Sequence, residues 1–384
     1  MVAAVRQGQS LRQVARQFGV SLCTVQRWVG RAADQRVDRV DFSDRPAGCP
    51  SSPRRTREAT EDRILVLRRE LREDSPLGEY GATAIQRALQ KEGRSSIPSV
   101  RTIGRIVERR GALDARSRVR RPAPPKGWYL PDLADGKVEL DSFDIVEGLV
   151  IRGGIDVYVL NGISLHGGLC VSWPETAITA KTASNRLLEH WRQVGLPTYA
   201  QFDNDTIFQG PHQWPDRFGR VTRLCLNLGV IPVFTPPRET GFQAMIENYN
   251  GRWQAKVWSR FQHASLSDVR AHSEAYVTAA RQQGATRFEA APPRRYFPRR
   301  WKLNLQAPLR GRVIFLRRST ASGHVKVLGH TYLVSPLWVH RLVRAEVDLT
   351  AGRIEFFSLR RRDPTCQRVL ARFHYQAPKG PFHV

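Results

Sequence analysis

The change of apolar period near Lys137 constrains this chain most. The runs "KVELDSFDIV", "IDVYVLNGIS" and "GLCVSW" read as three consecutive strands, and residues 179–195, with Leu187, Leu188 and Trp191, read as a helix. "TYAQFD" then reads as a strand, residues 216–229 as a helix, "VIPVFT" as a strand and residues 242–259 as a last helix. Three strands followed by alternating helix and strand predict an α/β sheet with helices on both faces.

Charge separates this middle from its flanks. The chain carries 61 Lys and Arg against 35 Asp and Glu, a formal net charge of +26, and the simplest partner for such a surface is a polyanion. Residues 127–292 hold 15 basic and 17 acidic side chains, leaving a net +28 on the flanks. A protein that merely coats nucleic acid has no need of a near-neutral centre, whereas an enzyme that gathers carboxylates around metal ions does. No apolar run approaches the length of a membrane-spanning helix and no signal-peptide core is present, so a soluble, cytoplasmic and nucleoid-associated protein is expected, without a membrane partner. Cys23, Cys49, Cys170, Cys225 and Cys366 show no C-x-x-C pair, and neither a disulfide nor zinc is predicted.

The flanks read as DNA-binding modules. Residues 1–41 hold a helix-turn-helix: Leu11, Val14, Ala15 and Phe18 form one apolar face, Gly19 turns the chain, Ser21 caps the second helix, and Val25 and Trp28 pack it back. That helix offers Thr24, Gln26 and Arg27 to a major groove. After a linker over 42–57, residues 58–112 predict a second helix-turn-helix-like unit with stripes Ile64/Leu67/Leu71, Ile85/Leu89 and Val100/Ile103/Val107, leaving Arg101 and Arg105 for DNA. A basic, Pro-rich connector over 113–135 precedes the core at 136–292. In the last segment, 293–384, basic residues including Arg299, Arg300 and Lys302 are interleaved with aromatics that suit nucleic acid. The strand-like runs "RVIFLRR", "VKVLGHTYLV", "LVRAEVDL" and "RIEFFSL" then predict a small β-barrel.

Carboxylates mark the centre of the core. Asp203 and Asp205 follow the strand "TYAQF", and Asp141 and Asp144 sit inside the first strand, where Asp is disfavoured. On the last helix Ile246, Tyr249, Trp253 and Val257 make the buried stripe, so Glu247 faces elsewhere, among Gln243, Asn250 and Gln254 rather than Lys or Arg. Three carboxylates on two strands and a helix suit oxygen-coordinated Mg²⁺.

"VELD…QFDND…F…TGFQAMIENYN" resembles the Asp, Asp, Glu core of DDE-type transposases and retroviral integrases, in particular bacterial insertion-sequence transposases. The resemblance covers about residues 136–260. Asp203, Asn204 and Phe208 fill a D-N-G-x-x-F-like motif, with Asp205 where glycine is usual, and Gly241, Glu247 and Asn250 resemble G-x-x-x-E-x-x-N with a longer Gly-to-Glu spacing. It implies an RNase H-like fold with Asp141, Asp203 and Glu247 as catalytic metal ligands, Asn250 at the DNA, and two Mg²⁺ or Mn²⁺ ions. The apolar run into Leu140 favours Asp141, with Asp144 as the alternative first acid on a bulged strand. The implied reaction is cleavage at transposon ends and transfer of the 3′ hydroxyl into target DNA by a dimer or larger homo-oligomer. A nuclease of the same fold and a transposase-derived repressor are the rival readings. No G-x-x-x-x-G-K-[ST] loop is present, which leaves an ATPase to a separate partner. Forty-three residues separate Asp203 from Glu247, longer than is usual in the family, which predicts a surface insertion near "QGPHQWPDRFG". Gln254 stands where the family commonly has a basic residue.

Overall fold

The computed structural model describes residues 1–43, 56–94, 96–114, 126–239, 241–361, 364–378 and 382. It divides into two compact units, residues 1–62 and 63–384. Most of the 42–57 linker and residues 115–125 of the expected connector lie outside the described residues.

The first unit contains α1 (Val2–Arg6), α2 (Leu11–Gln17) and α3 (Leu22–Ala32). Ser10 forms a capping box with Gln13 and Ser21 caps α3, so both helices start on satisfied N–H groups. Gly19 takes φ +64° in the turn between them. Val14, Ala15 and Val25 are buried where the helices cross, but Phe18, expected on that face, is 48% exposed. It lies at the C-terminal cap of α2, just past the helical repeat that carries Val14 inward.

α4 (Glu58–Glu73), which runs across the division at residue 62, α5 (Ala82–Lys91) and α6 (Val100–Arg109) close around Ile64, Leu67, Ile85, Leu89, Ile103, Ile106 and Val107. Val100, at the first helical position, is exposed and Ile106 takes the inner place the sequence reading gave it. The end of the expected connector is packed rather than extended. Trp128, Tyr129 and Leu130, with Leu133 of the short α7 (Pro131–Ala134), are buried against Phe242 and Ile314.

The sheet strands are β1 (Leu140–Ile151), β2 (Ile155–Ser164), β3 (Cys170–Glu175), β4 (Tyr199–Phe202) and β5 (Ile231–Phe234). Between them lie α8 (Ala180–Val194), α9 (Thr206–Gln209) and α10 (Arg220–Asn227). Then come α11 (Ala244–Trp253), which runs into a π-helical turn at Gln254–Trp258, α12 (Leu266–Gln283) and α13 (Ala285–Glu289). The first three strands are antiparallel, while β4 joins β1 and β5 joins β4 in parallel.

The last segment corrects the sequence expectation of a separate barrel. Its strands are β6 (Arg312–Arg318), β7 (His324–Val327), β8 (His330–Leu333), β9 (Leu342–Asp348), β10 (Arg353–Ser358) and β11 (Val369–His374). Four of them extend the core into one open nine-stranded sheet, β11-β10-β9-β6-β5-β4-β1-β2-β3, while β7 and β8 form a hairpin apart. The reason lies in β6, where Val313 to Leu316 are all buried, as in an interior strand covered on both faces. It pairs in parallel with β5, whose Val233 and Phe234 would otherwise stand at an exposed edge.

The segment where a surface insertion is expected forms a loop between α9 and α10. It is pinched at its base where Gly219 N donates to Gln209 O, and a Cβ on Gly210 would lie 2.5 Å from the Gly219 nitrogen. Trp214 at its outer part is 62% exposed.

Candidate active site

Strand parity sorts the acids. Side chains alternate across a sheet, so Asp141 and Phe143 share one face of β1, and Ser142, Asp144 and Val146 the other. Phe143 packs with Trp191 of α8, whereas Val146 packs with Ile246 and Tyr249 of α11. Asp144 therefore lies on the face covered by the helix that carries Glu247. The parallel pairing sets Asp141 beside Ala200 and Ser142 beside Gln201. Continued two residues, this register sets Asp144 beside Asp203.

Asp144 is half-buried, and burial together with the negative charges of Asp203 and Glu247 pushes its carboxyl up to about 6. Asn250, one turn after Glu247, donates from Nδ2 to Asp144 Oδ2 at 2.7 Å. Its Oδ1 accepts from Asn161 Nδ2 at 2.9 Å, and Asn161 is the cross-strand partner of Asp144 on β2. Asn250 is thus occupied in orienting an acid rather than extended toward solvent.

Asp203 leaves β4 at its C-terminal end. Burial raises its carboxyl above the usual range, with Asp205 and Glu147 adding to the effect. Its Oδ1 accepts the Asp205 N–H at 3.0 Å, while Asp205 caps α9 through the Ile207 N–H at 2.7 Å. Asn204 between them donates to Thr235 O at 2.7 Å and accepts from Arg317 of β6 at 2.9 Å. Arg317 also donates to Thr235 O, at 3.2 Å, and burial lowers its guanidinium to about 10. No carboxylate forms an ion pair with it among the described residues. Sequence reasoning missed this residue, although the uninterrupted apolar run before it marks an interior strand.

Glu247 is exposed on the first turn of α11, as its place off the buried Ile246/Tyr249/Trp253 stripe predicts. Among the described residues no Lys or Arg forms an ion pair with Asp144, Asp203 or Glu247.

Asp141 lies elsewhere, which corrects its sequence-based place beside Asp203 and Glu247. It is 1% exposed beneath α8, ion-paired with Arg294 and accepting from Trp191 Nε1 at 3.0 Å. His190 lies 3.9 Å from it and is held neutral by burial, which lowers its imidazole to about 3. The three-residue spacing of Asp141 and Asp144 was the signal that only one of them shares a face with α11.

The DNA-facing candidates divide by exposure. Gln26, Arg27, Arg101, Arg105, Arg299, Arg300 and Lys302 are all exposed, and Tyr296 among the last group is 96% exposed. Thr24 is half-buried and its hydroxyl is hydrogen-bonded to the Ser21 cap at 2.8 Å, so it is committed to the helix start.

All oxygen donors, two of them partly buried and none ion-paired with a Lys or Arg among the described residues, the three acids fit a hard divalent ion in chemistry. As placed, no three His, Cys, Asp or Glu side chains among the described residues stand close enough together to hold one.

A homeodomain-like domain family model matches residues 1–40, so the chain begins with a helix-turn-helix of that kind. Solved structures with some likeness include the HTLV-2 integrase catalytic core domain in complex with magnesium, at 12% identity and a TM-score of 0.27 over 37% of this chain and 83% of that one. The simian T-cell lymphotropic virus intasome in complex with the PP2A regulatory subunit B56 gamma matches at 13% identity and a TM-score of 0.32, over 70% of this chain and 87% of that one. The catalytic core domain of BIV integrase matches at 15% identity and a TM-score of 0.27, over 37% and 81%. Likeness at this level does not assign the fold. Among the described residues no helix is long and apolar enough to cross a membrane.

Proposed function

We propose that the chain is a DNA recombinase of the transposase or integrase type, acting on double-stranded DNA with Asp144, Asp203 and Glu247 as its metal-binding acids. The observation that carries this reading is the bond from Asn250 to Asp144, which ties the helix bearing Glu247 to the sheet face where β1 and β4 present Asp144 and Asp203. The residue pattern around them, D-N-x-x-x-F and E-x-x-N, supports it.

In this reading the homeodomain-like head and the exposed Arg101 and Arg105 select DNA, and Arg299, Arg300 and Lys302 hold backbone phosphates. Asn250 and the Arg317–Asn204 contact fix two acids. Glu247, the exposed member, is the third acid in this reading. Two Mg²⁺ or Mn²⁺ ions held there would supply an activated nucleophile and a stabilised leaving oxygen for cleavage and strand transfer. A dimer or larger assembly on DNA, a bacterial mobile element as source, and a separate ATPase partner belong to the same proposal.

The test is a cleavage and joining assay with full-length protein and Mg²⁺, on the duplex the protein selects from a random-sequence pool. Cleavage with joining supports the recombinase. Cleavage without joining identifies a nuclease, and tight binding without cleavage a repressor; either result overturns the proposal.

A further inference from the structure

A cavity of about 350 Å³ opens on the same sheet face as the three acids. Its lining repeats their arrangement one step back. Ser142 precedes Asp144 by two residues on β1, Gln201 precedes Asp203 by two on β4, and Gln243 precedes Glu247 by four beside α11. Two residues of strand span about 6.7 Å, and one helical turn about 5.4 Å. The cavity therefore begins roughly two base rises of DNA, about 3.4 Å each, from the acids.

The cavity has an apolar wall and a polar floor. Tyr129 and Phe242, with ring centroids 5.5 Å apart, form aromatic wall. At the floor Ser142 donates to Gln201 Oε1 at 3.1 Å, and Gln201 donates to the Tyr129 hydroxyl. Gln243 accepts from Thr235 at 3.3 Å, but its buried Nε2 has no hydrogen-bond partner among the described residues. At the mouth stand Arg252 and Asn248, both exposed and one helical turn apart on α11. An aromatic wall, amide and hydroxyl groups, and a cation at the rim match one nucleotide: a flat base inside and its phosphate outside.

We infer that this cavity receives one unstacked base of the DNA, next to the phosphate presented to the acids. The inference rests on the proposed function, since the acids determine which phosphate is meant. An unpaired base in the cavity places the strand at an angle to the duplex and brings the adjoining phosphate over Asp144 and Asp203.

The test uses full-length protein and the duplex it selects, with 2-aminopurine walked through one strand. A Glu247→Gln variant keeps the DNA intact during the measurement. One position beside the cleaved bond should brighten on binding, in wild type and Glu247→Gln alike, and a mismatch there should tighten binding roughly tenfold because the base is already unpaired. Ala244→Phe, which fills the cavity from α11, should abolish the brightening. Should that variant fail to fold, Gln243→Ala and Asn248→Ala serve, each reducing it. No brightening at any position, or brightening that persists in these variants, overturns the inference and leaves the proposed function standing. Undiminished cleavage by Glu247→Gln overturns the proposed function whatever the fluorescence shows.

Discussion

Asn250 Nδ2 donates to Asp144 Oδ2 at 2.7 Å, tying the helix that carries Glu247 to the first strand of the sheet. Truncation at position 250 frees Asp144 to rotate and removes the partner of Asn161. Asn250→Ala should weaken Mn²⁺ binding about 10- to 100-fold, the usual effect of losing a partner that orients a metal ligand. Asn250→Asp should be worse, because it places a like charge against Asp144. Calorimetric Mn²⁺ titration of the folded variants checks the order; equal affinity in Asn250→Asp and wild type would remove Asn250 from the site.

The buried pair of Asp141 and Arg294 predicts a stability effect instead. Arg294→Ala leaves Asp141, 1% exposed, without its cation. Losing one partner of such a pair costs about 3 to 5 kcal/mol. Urea unfolding should show it, and a loss below about 1 kcal/mol would contradict the burial assigned to the pair.

Arg317 carries a buried charge with no carboxylate in an ion pair among the described residues, and its hydrogen bonds go to Asn204 and to carbonyls. Replacing such a charge with an apolar side chain is often nearly neutral for stability. Arg317→Met should therefore change unfolding by no more than about 2 kcal/mol, yet reduce cleavage because the turn bearing Asp203 loses its anchor. Arg317→Lys, with one donor group in place of a fork, should recover only part of the activity. Activity that tracks stability alone in both variants would assign Arg317 to the core.

His190 gives the fold a pH dependence of definite sign. Its imidazole is lowered to about 3 in the folded chain against 6.5 when unfolded, chiefly by burial. Its contribution is complete above pH 6.5 and is lost as pH falls, because only the unfolded chain takes up the proton. At pH 5 the loss is about 2 kcal/mol. His190→Gln should flatten the stability profile between pH 7 and 5 in urea unfolding. An unchanged slope would show that His190 titrates normally.

How much was legible follows from which interactions are local. The period change at Lys137, the cap Ser21 and the Ile246/Tyr249/Trp253 stripe are local and appear in the structure as expected. The structure sets Asp141 apart from Glu247 and pairs it with Arg294, 153 positions away, a contact no local pattern reveals. Strand parity separates the two candidates, since Asp141 and Asp144 must face opposite ways. The barrel expectation failed because the apolar run in "RVIFLRR" identifies a strand but not its neighbour, and the partner proved to be β5 of the core. Arg317 became visible only with that pairing.

The central claim is that Asp144, not Asp141, acts with Asp203 and Glu247. The most direct measurement is Mg²⁺-dependent cleavage of the selected duplex by Asp144→Asn and Asp141→Asn, compared at equal folded fraction. Asp144→Asn should lose at least about 100-fold in rate, while folded Asp141→Asn should stay within about tenfold of wild type because its partners lie under α8. Cleavage at the wild-type rate by Asp144→Asn, or its abolition in folded Asp141→Asn, would contradict the account.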